Sequence, residues 1–198
     1  MTKRLIGLLF AICCVSVAAF SQTNEQSKPK PKPKPKTEHF SAVASLPRAA
    51  AATAWVDIWI NRYTSDATTK RLAGVLVEGG QDALVKDLEK AKDIGHASLS
   101  RRVGFFDLKL IRSRKTPTGR QIIAVSDRPI GFLEAYGGSR STDYKLGIVV
   151  LDLVRNKKGK EVGEGILLYA SQVKIENGKL EIEYLGMDPI KLRNVRRN

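Results

Sequence analysis

The side chains able to do chemistry in this chain are few, and their spacing narrows them further. There are two histidines, His39 and His96, and two cysteines, Cys13 and Cys14. A single imidazole acts as a general base only beside an aligned nucleophile and an orienting acid. The G-x-S-x-G turn that presents such a nucleophile in α/β-hydrolases is absent. Ser171-Gln172-Val173-Lys174 matches S-x-x-K, the serine–lysine pattern of penicillin-binding proteins, but that chemistry needs both side chains on one helix face. Alternating apolar residues place this stretch on a strand, where residues three apart point to opposite faces. Catalytic zinc takes three protein ligands, usually with at least two histidines or cysteines. No metal site and no cofactor are expected.

Carboxylates offer the other route. Glycoside cleavage needs two of them roughly 5–9 Å apart. Asp57, Asp107, Asp127, Glu134 and Asp152 are strand or loop acids that spacing alone does not bring together. Asp127-Arg128 and Glu134 are expected to pair ionically, which holds an acid ionised and unsuited to proton transfer. No catalytic residue is assigned, and a hydrolase with acids converging in a cleft stands as the alternative. Gly137-Gly138-Ser139-Arg140-Ser141 is similar to a backbone anion nest but lacks any phosphate-loop pattern, so it is expected to be a connection. The basic residues are more suggestive. Arg112, Arg114 and Lys115 precede a turn and Arg120 follows it, which makes a candidate anion-binding site, because guanidinium groups grip phosphate and carboxylate bidentately. Arg101 and Arg102 are expected at the opposite end.

The elements that must hold these residues follow from periodicity. In AWVDIWINRY (54–63), Val56, Ile58 and Ile60 share one strand face, and Trp55, Asp57, Trp59 and Asn61 the other. Thr64 or Ser65 then caps a helix with the stripe Leu72, Val75 and Leu76, which Gly79-Gly80 is expected to stop. A second short helix is expected from Gln81 to about Lys92. After Gly95 the period becomes 2 and stays there. Phe106, Leu108 and Leu110 alternate with polar residues. A turn at 116–119 precedes RQIIAVS, and the apolar run Leu146 to Val154 reads as a central strand covered on both faces. Asn177-Gly178 signals a type I′ hairpin. Pairing Glu176 with Lys179 sets Ile175 against Leu180, Lys174 against Glu181, and Val173 against Ile182, which matches apolar with apolar and acid with base. Ile190 to Val195 is expected to be the last strand. The fold class is therefore α+β: one N-terminal strand, two short helices, then an antiparallel β-meander of about seven strands, curled toward a half-barrel.

The N-terminus carries an address. Lys3 and Arg4 precede an apolar run from Leu5 to Phe20, and small residues at 17, 19 and 21 suit cleavage after residue 19 or 21. The run is short of the ~20 residues a membrane span needs. Residues 1–21 are expected to be a signal peptide, with no transmembrane span once it is removed. Cys13 follows Ile12 and Cys14 follows Cys13, without the small residue that lipidation requires, so both leave with the leader and no thiol remains for a disulfide. Residues 22–53 are expected to be a disordered Pro-Lys linker and 54–198 a single domain. Within the linker, KPKPKPKPK (28–36) is expected to form an extended polyproline II rod about 28 Å long at ~3.1 Å per residue. The formal net charge is +14, of which Lys3 and Arg4 lie in the leader. In an exported protein such an excess points to an anionic envelope surface or glycan, and nucleic acid is not expected as a partner.

EGGQDALVKDLEK (78–90) and SDRPIGFLEA (126–135) resemble an uncharacterised family of small exported bacterial proteins. The resemblance implies export and a single domain, and it brings no activity, ligand or site residue with it. The expectation is a periplasmic or extracellular non-catalytic domain that binds a partner.

Overall fold

The structure is a computed structural model that describes residues 37–45, 53–99, 104–130, 143–185 and 188–198, all within one compact unit. The expected leader, the Pro-Lys repeat, Arg101, Arg102, Glu134 and the 137–141 connection lie outside the described residues.

Alternation organises the strands. In β2 (Thr53–Ile60), Val56, Ile58 and Ile60 are buried while Trp55, Asp57 and Trp59 line the outer face. Ahead of it lies β1 (Glu38–Ser45), within the stretch expected to be linker. Phe40, Ala42 and Ala44 point inward and are fully buried. This corrects both the linker boundary and the reading of β2 as the first strand.

After β2 the chain enters α1 (Asp66–Lys90), where two short helices were expected. Ser65 is its N-cap, accepting a hydrogen bond from the Thr68 N–H at 3.1 Å. The glycine pair bends the helix without ending it. Gly80 sits at φ 67°, ψ −170°, outside the helical region, and the chain resumes helical geometry directly after. Residues sixteen apart in a straight helix are separated by about 24 Å. Here Arg71 reaches Asp87 across the bend. Gln81, just past the bend, ties the helix to the sheet. Its Nε2 donates to the Asp143 carbonyl at 2.6 Å and its Oε1 accepts from the Val173 N–H at 2.8 Å.

The remaining strands are β3 (Gly95–Leu99), β4 (Phe106–Leu108), β5 (Leu110–Thr116), β6 (Gly119–Ser126), β7 (Leu146–Arg155), β8 (Glu161–Glu176), β9 (Lys179–Tyr184) and β10 (Ile190–Arg197). Every pairing is antiparallel, in the order β4-β3-β2-β1-β10-β8-β7-β6-β5, with β9 added to β8. The strands at the two ends of that order, β4 and β5, are joined by Lys109 alone, whose N–H donates to the Val125 carbonyl of β6 at 2.9 Å. The sheet is thus a nearly closed barrel, which corrects the expected half-barrel meander. The physical reason lies in β1: it pairs with both β2 and β10, and without it those two strands have no common neighbour. Closure removes the unpaired edges that an open meander would leave.

Two apolar clusters result. The barrel interior is packed with side chains from Phe40, Ile58, Ile60, Leu108, Ile111, Ile122, Leu151, Leu153 and their neighbours. The second cluster sets Leu72, Leu76, Leu84, Val85 and Leu88 of α1 against Leu146, Ile148, Leu168 and Val173, outside the barrel. The helix therefore explains the doubly apolar start of β7: Val149 and Leu151 face the interior, and Leu146 and Ile148 lie under α1. Coverage ends at Asp152 and Val154, which are exposed. Among the described residues no helix is long and apolar enough to cross a membrane.

The β8–β9 hairpin has the register expected of it, from Glu176 opposite Lys179 to Val173 opposite Ile182. Asn177 and Gly178 both take positive φ, 51° and 73°. Replacing Gly178 by Val should lower stability by more than about 1 kcal/mol, because a β-branched residue resists that conformation. An unchanged denaturation midpoint would show that the turn does not hold this geometry.

Candidate functional site

The four basic residues expected at the β5–β6 hairpin do not act together. Arg112 donates to the Thr64 carbonyl at 2.8 Å and to Asp66 at 2.5 Å, which pins β5 to the start of α1. Arg114 donates to Gln121 Oε1 at 2.9 Å on the neighbouring strand and is exposed. Lys115 is exposed opposite Arg120. Arg120, on the sheet face it shares with Lys115, is committed to acids of other strands.

Its guanidinium sits among partly buried acids. Nε and Nη2 donate to the two oxygens of Glu161 at 2.7 Å each, Nη2 also to Glu38 at 2.8 Å, and Nη1 to the Tyr63 hydroxyl at 2.9 Å. Tyr63 in turn donates to Glu38 at 2.7 Å. Arg197 of β10 bridges the same two carboxylates, 3.2 Å from Glu38 and 3.1 Å from Glu161. Burial alone would raise the Glu161 carboxyl, but the hydrogen bonds from Arg120, then Arg197, prevail and hold it below its ordinary value. Tyr63 is pushed up, first by burial and then by its hydrogen bond to Glu38. Burial likewise works against the Arg120 charge, and the bonds to Glu161 and Glu38 overcome it. Glu38 and Glu161 come together here and both spend their oxygens on the same guanidinium; Glu176, Glu181 and Glu183 gather likewise on the Lys174 ammonium, on the exposed β8–β9 hairpin. A general acid needs a proton at its working pH, and Glu161 is held in the opposite state. A surface depression lined by Arg155, Lys160, Glu161 and Arg197 opens beside this network.

The described acids singled out in the sequence each have a polar or basic neighbour, and Asp107 and Asp127 both act on the Lys109 ammonium. Asp57 binds His39, Asp127 lies 3.8 Å from the Lys109 ammonium, and Asp152 accepts from Gln121 at 2.7 Å. Asp107 lies 3.8 Å from Arg128, so Arg128 faces Asp107 and the expected Asp127–Arg128 pair does not form.

The two histidines, by contrast, are brought to one place. Trp59 pairs in register with His39 of β1 on one side and His96 of β3 on the other. The His39 ring stacks on Trp59 at 4.6 Å with parallel planes, and His96 stacks on the opposite face at 4.7 Å. Phe105 meets the His96 ring edgewise at 4.9 Å. Burial lowers the His96 pKa, against the pull of Asp107 and Asp93. His39 Nε2 lies 2.8 Å from Asp57 Oδ1, and its Nδ1 lies 3.1 Å from Asn198 Nδ2. With the amide donating, Nδ1 is the acceptor and Nε2 carries the hydrogen bound by Asp57. Ser41 shares this outer face, but its hydroxyl contacts Asn198 Nδ2 at 3.3 Å, so the amide stands between serine and imidazole. The His39 to Ala44 alternation was the available signal for this arrangement, and it is visible only if β1 is taken as a strand.

Beside this row runs β10. Lys191 and Arg193 point outward, Leu192 inward. Asn194, at φ 52°, forms a bulge against β1 that shifts the pleat by one residue. Val195 and Arg197 therefore point inward, and Arg196 joins Lys191 and Arg193 on the exposed side. Its guanidinium lies 5.7 Å from the Trp55 ring centroid. Among the described residues Lys191 and Arg193 have no ion pair or side-chain hydrogen bond. No three His, Cys, Asp or Glu among the described residues are grouped as a metal site would need. No family model, no curated protein and no solved structure matches the chain.

Proposed function

We propose that this protein is an exported, non-catalytic binding domain whose partner is an anionic envelope surface or glycan, met by the outside of the barrel. The observation that carries this reading is the filled interior: the space a ligand-binding barrel would leave open is occupied by fully buried side chains such as Phe40, Ile58, Leu108, Ile122 and Leu151. The net charge of +14 supports an anionic partner. So do the exposed Arg114 and Lys115 at the β5–β6 tip, which keep the expected anion-binding role there, with Arg112 and Arg120 holding the hairpin in place. The commitment of Glu38 and Glu161 to Arg120 speaks against carboxylate chemistry.

The test is binding of the exported protein to an acidic polysaccharide and to anionic vesicles across a salt series. Binding at low salt that disappears as the screening length falls below the ~8 Å of physiological ionic strength is the expected result. Absence of binding to either at low salt defeats the reading. Glycan turnover that Glu161→Gln abolishes would establish an enzyme in its place.

A further inference from the structure

The outer surface of β10, β1 and β2 has a composition unlike the rest of the barrel. Lys191, Arg193 and Arg196 form a row of exposed cations along β10. The adjoining outer positions of β1 are Ser41, Val43 and Ser45, all small, and they pair with Arg196, Arg193 and Lys191 in turn. Beyond them β2 presents Trp55, which is 47% exposed, and Trp59; Phe105, 59% exposed, ends the aromatic row. The small residues of β1 let Arg196 reach across to Trp55. Of the acids on β2 and β4, Asp57 is engaged by His39 and Asp107 by Arg128, and Glu164 of β8, exposed opposite the Arg193–Asn194 bulge, offsets one of the three cations. Uncompensated charge on the face is therefore positive.

The aromatic geometry selects among anionic partners. Sugar rings and nucleobases stack on open ring faces, and both faces of Trp59 are taken by His39 and His96, while Arg196 covers one side of Trp55. What remains to meet a partner is ring edge together with flexible cationic side chains. An interfacial layer of lipid headgroups suits that combination, since aromatic side chains settle at the headgroup level and Lys and Arg reach the phosphates. We infer that the outer face of β10, β1 and β2 docks on an anionic phospholipid bilayer. Lys191, Arg193 and Arg196 meet headgroup phosphates, and Trp55 and Phe105 enter the headgroup region. The inference rests on the reading of an anionic-surface binding domain and names its surface and its partner.

The chain supplies its own reporter, because its two tryptophans are Trp55 and Trp59. Binding through the Pro-Lys repeat or the β5–β6 tip leaves their surroundings unchanged, whereas docking on this face moves both. The experiment titrates the exported protein with vesicles of phosphatidylglycerol mixed with phosphatidylcholine, with phosphatidylcholine vesicles, and with an acidic polysaccharide, following tryptophan emission and bound fraction together. Emission should shift to shorter wavelength with the phosphatidylglycerol vesicles alone, and brominated acyl chains should quench it. Each cation near an anionic bilayer contributes about fivefold, so Lys191→Ser, Arg193→Ser and Arg196→Ser combined should weaken binding about a hundredfold. Lys70→Ser with Lys86→Ser, both exposed on α1 away from this face, removes charge elsewhere and should leave the emission shift intact. Vesicle binding with unmoved emission and an unaffected triple variant overturns this inference while the anionic-surface reading stands. An emission shift with the polysaccharide but not the vesicles also overturns it, in favour of a glycan. Failure to bind either at low salt overturns both. The quenching result on the unaltered protein decides the matter should the triple variant not fold.

Discussion

Changing Arg120 to Met should cost about 3–5 kcal/mol of stability, the usual penalty for removing one partner from a buried ion pair. Glu161 and Glu38, 10% and 14% exposed beside Arg120, would keep Arg197 as their remaining cation. The variant combining Glu38→Gln, Arg120→Met and Glu161→Gln should lose less than Arg120→Met alone, because the one charge left without a partner, Arg197, is 37% exposed and can be solvated. Urea denaturation near neutral pH measures both. A loss under about 1 kcal/mol for Arg120→Met would show the network to be solvated in the manner of a surface pair. Acid provides a further check with a definite sign. The Glu161 carboxyl is depressed in the folded state, so its contribution is fully present above the unfolded value near 4.3 and is lost as pH falls through the folded value. The gap between parent and Arg120→Met should therefore narrow in acid. Tyr63 acts at the other end: its raised pKa adds stability that is present below about 10 and lost as pH rises through its folded value.

What could be read from the chain was local. The β8–β9 register follows from a two-residue turn and four cross-strand pairs within ten consecutive positions, and alternation alone sorted the inner and outer faces of β2. What escaped was set by distant partners or by broken periodicity. The role of Arg120 depends on Glu38, eighty-two residues away, and on Glu161, forty-one away, and no spacing rule reaches so far. The outward row on β10 was hidden by the Asn194 bulge, because strict alternation would have placed Arg196 inside and Val195 outside. Gly79-Gly80 correctly marked a change of direction, but the apolar stripe resumes beyond it against the same face of β7 and β8, so the helix bends where an end was expected. The histidine–tryptophan row needs three strands in register, one of which follows the Pro-Lys repeat so closely that its sequence reads as linker.

That strand is the centre of the second large effect. A linker residue can be truncated without consequence, but Phe40 is fully buried at the point where β1 joins the two flanks of the barrel. Phe40→Ala should cost about 3–5 kcal/mol, from lost burial and the cavity left in a packed interior. β1 has low intrinsic preference for its own conformation, since Ala42 and Ala44 fill its other inward positions and alanine is a poor strand former. Phe40 therefore supplies most of the apolar attachment of β1, and losing it should loosen β2 and β10 together. Hydrogen exchange in the variant should show both strands opening with β1. Should Phe40→Ala fail to fold, Phe40→Leu, costing about 1.5 kcal/mol or less, keeps the measurement possible. Val43→Ala, on the outer face of the same strand, is the control and should cost much less. Equal, small losses at both positions would mean that residues 38–45 do not belong to the barrel. Phe40 also lies 5.8 Å from the Arg120 guanidinium, ring centroid to Cζ. The double variant with Arg120→Met should therefore lose less than the two singles added together, because each single already removes that contact. Strict additivity would mean that the ring and the cation are neighbours without an energetic tie, and that β1 is held by burial alone.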